Sequence, residues 1–238
     1  MNTATFSLAT LAPAIPEIVL LALACTLLLV DLFLSARDRH VTYWLGIVAL
    51  LGVAVLAALT VGRPTAVTFQ GMFVSDMMSQ VLKVALLASV AVTLLYSREY
   101  LEARGLLSGE FVSLSLFASL GMLVMVSANH FLTLYLGLEL LALSLYALVA
   151  LQRDSVVSTE AAMKYFVLGA LASGMLLYGL SMLYGATGSL ELNRVAFALS
   201  HSQANPTLAA FGLVFVVAGL AFKLGAVPFH MWVPDVYQ

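Results

Sequence analysis

Four ionisable side chains stand inside long apolar runs of this sequence: Lys83, Glu139, Lys164 and Lys223. An ionisable group at membrane depth costs several kcal/mol unless it is paired or hydrated, so each is a candidate for carrying charge or protons. Lysine suits a proton carrier better than arginine, because burial brings an ammonium pKa down toward the working range while a guanidinium stays charged. The three lysines all fall in apolar stretches, whereas the seven arginines read as loop residues.

Glu139 is the sharpest of the four. It follows Phe131-Leu-Thr-Leu-Tyr-Leu-Gly-Leu and is nine residues past His130, about 14 Å along a helix at 1.5 Å per residue, which is close to mid-membrane. Unpaired there it would be protonated, and Tyr135 and Ser144 would solvate it only in part. A structural carboxyl pinning two helices is the plainer reading. Lys164 comes just after Ser158-Thr159-Glu160, a helix N-cap with an acidic first turn, so taken alone it reads as a shallow lysine free to snorkel. Lys83 is seven residues past Asp76, two turns along one helix face, and reads as a snorkelling residue or a helix-to-helix tie. Glu17 and Asp31 are expected at the membrane interface.

Lys223 is sixteen residues into its apolar run and is followed by Pro228, His230, Pro234 and Asp235. Proline removes a backbone donor and clashes with the carbonyl four residues back. Two prolines six residues apart therefore predict a broken helix, with Phe229 to Asp235 outside helical geometry. Non-helical backbone at membrane depth is tolerated only where it is buried in protein or lines a hydrated cavity, and broken helices in transporters set their freed ends beside the ion site. The partial negative charge at a helix C-terminus favours the ammonium form of Lys223. The alternative is that the span simply exits the membrane at Pro228. An imidazole can donate, accept and take up a proton near neutral pH, so His230 fits a proton relay or is a satisfied polar group at the break. His40, His130 and His201 fall in loops and turns, so no pair suits haem ligation between helices.

The elements that must position these groups are membrane helices. The 238 residues are 63% hydrophobic and 9% charged, with a mean hydropathy of +1.06, against about a quarter charged residues in soluble domains. With net charge −2 there is no basic patch on which to rest a nucleic-acid role. Cys25 is the single cysteine, which leaves no disulfide framework, Cys-x-x-Cys pair or thiolate metal cluster. Spanning the hydrocarbon core takes about 20 apolar residues. On that rule there are seven spans, near residues 14–34, 41–61, 76–97, 110–127, 130–150, 161–186 and 207–227. The fourth and fifth are joined only by Ser127 to His130 and make an antiparallel hairpin. No Lys or Arg precedes Arg37, so the basic head of a cleavable signal peptide is missing. Arg37, Arg39, Arg98, Arg104 and Arg153 fall on one side and Arg63 and Arg194 on the other, which puts the N-terminus outside by the positive-inside rule. Small residues in spans two and six (Gly46, Gly52, Gly169, Ala170, Ala172, Ser173 and Gly174) read as helix-packing positions. The fold class expected is an all-α integral membrane protein of about seven transmembrane helices, the last discontinuous at Pro228.

Two stretches carry a specific resemblance: Leu136-Gly-Leu-Glu139-Leu-Leu-Ala-Leu, and Gly219-Leu-Ala-Phe-Lys223-Leu-Gly-Ala-Val-Pro-Phe-His230-Met-Trp-Val-Pro-Asp235-Val-Tyr, supported by Glu160-Ala-Ala-Met-Lys164-Tyr-Phe-Val-Leu-Gly-Ala. They resemble the antiporter-like proton-translocating membrane subunits of NADH:quinone oxidoreductase, respiratory complex I, and within that family the N-type subunit most closely. The resemblance is good from about Phe111 to Gln238 and looser over the first three spans. It implies an inverted-repeat antiporter-like fold, with residues 1–109 an N-terminal three-helix region and 110–238 an incomplete first repeat (spans four to seven) of a longer chain. It further implies that Glu139 pairs with Lys223, with Lys164 on the same path, and that Pro228, His230, Pro234 and Asp235 shape the broken helix. No redox centre, cofactor or metal is expected on this chain; NADH, FMN, iron–sulfur clusters and quinone would sit on other subunits. Other complex I membrane subunits, the lipid bilayer and protons are the expected partners, and the bacterial inner membrane the expected location. A multisubunit Na+/H+ antiporter subunit and a structural membrane scaffold are the alternatives.

Overall fold

The structure is a computed structural model and describes residues 8–34, 39–201 and 204–237. Among the described residues seven helices are long and apolar enough to cross a membrane. Their backbones close their own hydrogen bonds, as a solvent without donors or acceptors requires. We label the elements α1 (Ile15–Asp31), α2 (Arg39–Ala58), β1 (Ala66–Thr68), β2 (Phe73–Ser75), α3 (Met77–Ala103), α4 (Gly109–Val126), α5 (Phe131–Val149), α6 (Val156–Thr187), α7 (Leu192–Ser200), α8 (Pro206–Lys223) and α9 (Val233–Tyr237). By internal contacts they fall into two compact units: residues up to Ala128 with Leu136–Leu141, and Asn129–Tyr135 with Ala142 onward.

In the first unit α1 to α4 enclose a core of Leu20, Ala24, Leu50, Val53, Leu87, Val112, Leu116 and Leu123. Two buried polar groups beside it are paired. The Tyr43 hydroxyl donates to the Leu94 carbonyl at 2.6 Å, and the Thr42 hydroxyl donates to the Asp31 carboxylate at 2.9 Å. That carboxylate also lies against Gly109, the first residue of α4, where any side chain would overlap it; negative charge is favoured at a helix N-terminus. The α5 segment of this unit approaches α4 through Gly121 and Gly137, each of which would put a Cβ within 2.8 Å of the other's carbonyl oxygen.

Helix α3 starts on a capping box. Asp76 accepts the Ser79 amide at 2.8 Å while the Ser79 hydroxyl accepts the Asp76 amide at 2.9 Å. These bonds, chiefly the Ser79 amide, hold the Asp76 carboxyl below its ordinary pKa. The helix runs on to Ala103, and its 27 residues span about 40 Å, longer than the ~30 Å hydrocarbon layer. Arg98, expected in a loop, is therefore helical and pairs with Glu102 at 2.8 Å. Arg39 and Arg194 likewise stand within helices, and Arg37 lies outside the described residues. The two-stranded hairpin β1–β2, with Val67 opposite Val74, was not foreseen. Its strands are three residues each, too short for alternation to be read, and its turn holds Phe69, Gln70 and Gly71 at positive φ. The Val74 amide donates to the Ser127 carbonyl at 2.9 Å, so the hairpin sits across the end of α4.

In the second unit α6 and α8 pack along a seam of small residues. A Cβ at Gly179 would come within 2.8 Å of the Gly212 oxygen, and one at Gly219 within 3.1 Å of the Ala172 oxygen. Without a hydrophobic drive between helices in lipid, such close approach supplies the packing. Gly52 and Gly174, by contrast, face open space. The cap of α6 is Ser155, which accepts the Ser158 amide at 3.2 Å, rather than Ser158; the helix begins one turn earlier than expected. Helix α7, nine residues, was also missed, being short and lying between spans. Backbone bonds from Phe131 to Leu190 (2.9 Å) and from Leu192 to Asn129 (3.2 Å) tie the loop before α7 to the start of α5.

Candidate functional site

Helix α8 ends at Lys223, four residues earlier than the span expected from hydropathy. Gly225 takes φ +64; its amide donates to the Phe222 carbonyl at 3.0 Å and the Ala226 amide to the Ala221 carbonyl at 2.8 Å. This is a Schellman ending, which satisfies carbonyls that the helix leaves open. The break therefore starts at Leu224 and Gly225, and Pro228, exposed and joined to Val227 by a cis bond, falls within the non-helical stretch. The expectation that Phe229 to Asp235 stays non-helical is corrected: helix resumes at Val233. Pro234 is the second residue of α9, where a missing amide costs nothing because that donor has no intrahelical acceptor. Asp235 occupies the first turn of α9, where a carboxylate is favoured. The His230 ring is exposed, and its carbonyl accepts the Val233 amide at 3.0 Å.

Lys223, half-buried, has its ammonium 2.9 Å from the hydroxyl of Ser173 on α6. Ser173 is 4% exposed. Its sequence context, a run of small residues, gave only a packing role; nothing in that run marks which small residue turns a hydroxyl toward a lysine fifty positions on. As the last residue of α8, Lys223 lies at the negative end of the helix dipole, as expected.

The broken segment is fastened by Trp232. Its indole N–H donates to the Phe222 carbonyl at 3.1 Å, and its ring stacks on Tyr165 of α6 at 4.4 Å and 17°. Tyr165 meets Tyr146 of α5 edge-on at 4.5 Å. Gly169 makes room for the Tyr146 hydroxyl, since any Cβ there would overlap it. Lys164, one residue before Tyr165, reaches Glu160 at 2.9 Å and Asp235 at 3.2 Å, with its side chain 45% exposed. It is therefore tied to the resumed helix instead of snorkelling alone.

Of the expected site residues, Lys164 and Asp235 are brought together directly, and Lys223, Pro228, His230 and Pro234 belong to the same unit. Glu139, half-buried, is described with the first unit, two residues from the Gly137 contact that seats its helix on α4. In the first unit the interfacial placement expected of Glu17 is corrected, and of the two readings of Lys83 the helix-to-helix tie holds and the snorkelling one does not. Glu17 and Lys83 are buried, at 6% and 1% exposure, and form an ion pair of 2.6 Å; α1 and α3 bring together residues that sequence left separate. Among the described residues no three His, Cys, Asp or Glu side chains gather as metal ligands would.

The family model described as NADH:quinone oxidoreductase/Mrp antiporter, TM, matches residues 128–238. NADH-quinone oxidoreductase subunit N of Nitrosomonas europaea is 57% identical over 98% of this chain and 48% of its own length. Its counterpart in Herminiimonas arsenicoxydans is 60% identical over 96% of this chain and 47% of its own. The chain thus spans about half the length of the relatives it matches. In structure it is similar to a chain of respiratory complex I from Thermus thermophilus (34% identity, TM-score 0.75, 94% of this chain and 47% of that one). It shares its fold with a chain of the Mrp complex from Dietzia (21% identity, TM-score 0.70, 97% and 44%). Residues 128–238 thus match the NADH:quinone oxidoreductase/Mrp antiporter transmembrane family model, and the chain is similar over nearly all of its length to about half of NADH-quinone oxidoreductase subunit N.

Proposed function

We propose that the chain is part of the proton-translocating membrane subunit of an NADH:quinone oxidoreductase, with Glu139, Lys164 and Lys223 as its relay. The observation that carries the reading is Lys223, an ammonium at the open end of a broken membrane helix with a serine hydroxyl as its neighbour. A hydroxyl both donates and accepts, so it serves the charged and the neutral lysine alike. An ionised Glu139 would favour the charged form of Lys223, and neutralising or withdrawing that carboxylate in a low-dielectric site would release the proton. Lys164, paired with Asp235, links the same path to the resumed helix α9.

No redox step falls on this chain. NADH, FMN, iron–sulfur clusters and quinone would be held by other subunits, and the relay would respond to charge and shape changes arriving from them. The arginine distribution supports an N-terminus on the outer face of a bacterial inner membrane. The test is proton uptake by vesicles containing the assembled complex, with Glu139→Ala or Lys223→Ala in the full-length subunit. The reading expects loss of proton pumping per electron in correctly assembled enzyme. Unchanged pumping would refute it, and sodium-dependent transport without redox subunits would move the chain to the antiporter class.

A further inference from the structure

The Glu17–Lys83 pair is the most deeply buried charge pair among the described residues and has no part in the relay above. Both side chains are almost fully enclosed, 7% and 2% exposed, with 2.6 Å between carboxylate and ammonium. A pair buried in this way is a poor stabiliser, since desolvation offsets most of the attraction and apolar residues of similar volume do as well or better. It is also sparsely satisfied: beyond Lys83, the Glu17 carboxylate has only its own backbone amide as a nearby donor among the described residues. One face of the carboxylate is thus left able to take a proton.

The pair is connected to the membrane surface. Asp76, Ser79, Gln80 and Lys83 occupy positions i, i+3, i+4 and i+7 of α3 and its cap, a polar stripe along one face of the first two turns of the helix. Ser79 and Gln80 are each 1% exposed, Asp76 is partly exposed, and Asp76 feels the Lys83 charge. Gln80 accepts the Gly62 amide at 3.0 Å and lies 3.4 Å from the Ser75 hydroxyl, joining the stripe to the loop and hairpin at that end. A lysine side chain on a helix leans toward the N-terminus, so Lys83 leans toward Asp76. The Phe73 ring, 4.9 Å from its ammonium, closes the site from the hairpin. At this end of the unit α2, α4 and β2 bring no acid or base, while the exposed Arg63 stands in the loop after α2, its carbonyl 3.5 Å from the Gln80 amide nitrogen; Asp31 and Glu110 stand at the opposite ends of α1 and α4, and Glu139 stands at the middle of α5.

We propose that Glu17 and Lys83 form a proton-binding site that exchanges with water at the membrane surface through Asp76, Ser79 and Gln80. One proton from water at Asp76 adds to the Glu17 carboxylate, giving the carboxylic acid. Lys83 keeps its ammonium, the charge of the pair goes from zero to +1, and release by the same route restores it. The inference extends the proton-translocation reading and rests on it only for why such a site would be useful.

The test uses the assembled complex with the full-length subunit and pH-difference infrared spectroscopy of the carboxylic-acid C=O stretch. A carboxylic-acid band that responds to pH is expected in the parent, lost in Glu17→Gln and shifted in Lys83→Met. Asp76→Asn keeps the band and slows its appearance after a pH jump. Spectra of Glu17→Gln and parent that coincide would overturn the proposal and leave a structural tie, whatever happens to the melting temperature. If Glu17→Gln does not assemble, Glu17→Asp and Asp76→Asn decide: the band must move in the first and lag in the second, and an unmoved band overturns the proposal. Glu139→Ala run in parallel separates the readings, because normal pumping there sinks the relay while leaving the Glu17 spectrum as an independent result.

Discussion

Trp232 is the fastening of the broken helix, and removing it should unlatch residues 226–237 while leaving α6 and α8 in place. The ring is 6% exposed, stacks on Tyr165 at 4.4 Å and donates one hydrogen bond to Phe222. Trp232→Phe keeps most of the stack and loses the hydrogen bond, a cost of about 1 kcal/mol. Trp232→Ala loses both and leaves a cavity, about 3–5 kcal/mol for a buried aromatic. At roughly tenfold per 1.4 kcal/mol, local opening rises about fivefold in the first variant and between about a hundredfold and a few thousandfold in the second. Amide hydrogen exchange read by mass spectrometry on the purified full-length complex reports this opening directly. The reporter amides are Phe229, Val233 and Val236, bonded to the carbonyls of Ala226, His230 and Trp232. Equal exchange in parent and Trp232→Ala would refute the latch. So would acceleration spread evenly through α6 and α8, because the tryptophan would then be supporting the whole unit.

Two further outcomes follow from geometry. Gly179→Val puts a Cβ 2.8 Å from the Gly212 carbonyl and should destabilise the second unit by about 1–3 kcal/mol, lowering the melting temperature in detergent, while Gly174→Ala, in open space, leaves it unchanged. For Asp76 the folded pKa lies below the unfolded value, so its contribution is full above the unfolded carboxylate pKa and is lost as pH falls through the folded one. Asp76→Ala should therefore cost about 1 kcal/mol at neutral pH and flatten the acid limb of stability below about pH 4, as followed by α3 exchange or thermal melting at graded pH.

Trp232 shows why parts of the site were not legible. In the sequence it is one aromatic among prolines; only the fold sets it over Tyr165, sixty-seven positions earlier. Lys223 was legible because a lysine deep in an apolar run followed by two prolines is anomalous whatever surrounds it. Pro234 was misread because a proline's effect depends on whether it stands inside a helix or in its first turn, and the helix restart at Val233 is set by packing of Trp232 and Val236 in the second unit's aromatic cluster. Ser173 and Glu17 were under-read for a common reason: a small polar residue or an acid near a span's end is ordinary until its partner is known.

The sequence by itself determined the membrane class and the seven spans to within a few residues at most ends. Hydrocarbon imposes a length of apolar helix and a cost on every charge, and both can be counted along a chain. Only the tertiary structure decided who meets whom: Glu17 with Lys83, Ser173 with Lys223, Lys164 with Asp235. Helices apolar on nearly every face have no amphipathic stripe to fix their rotation. Which side chains face inward is set by the close contacts of small residues, as at Gly121 with Gly137 and Gly179 with Gly212, and those contacts exist only once the helices have packed.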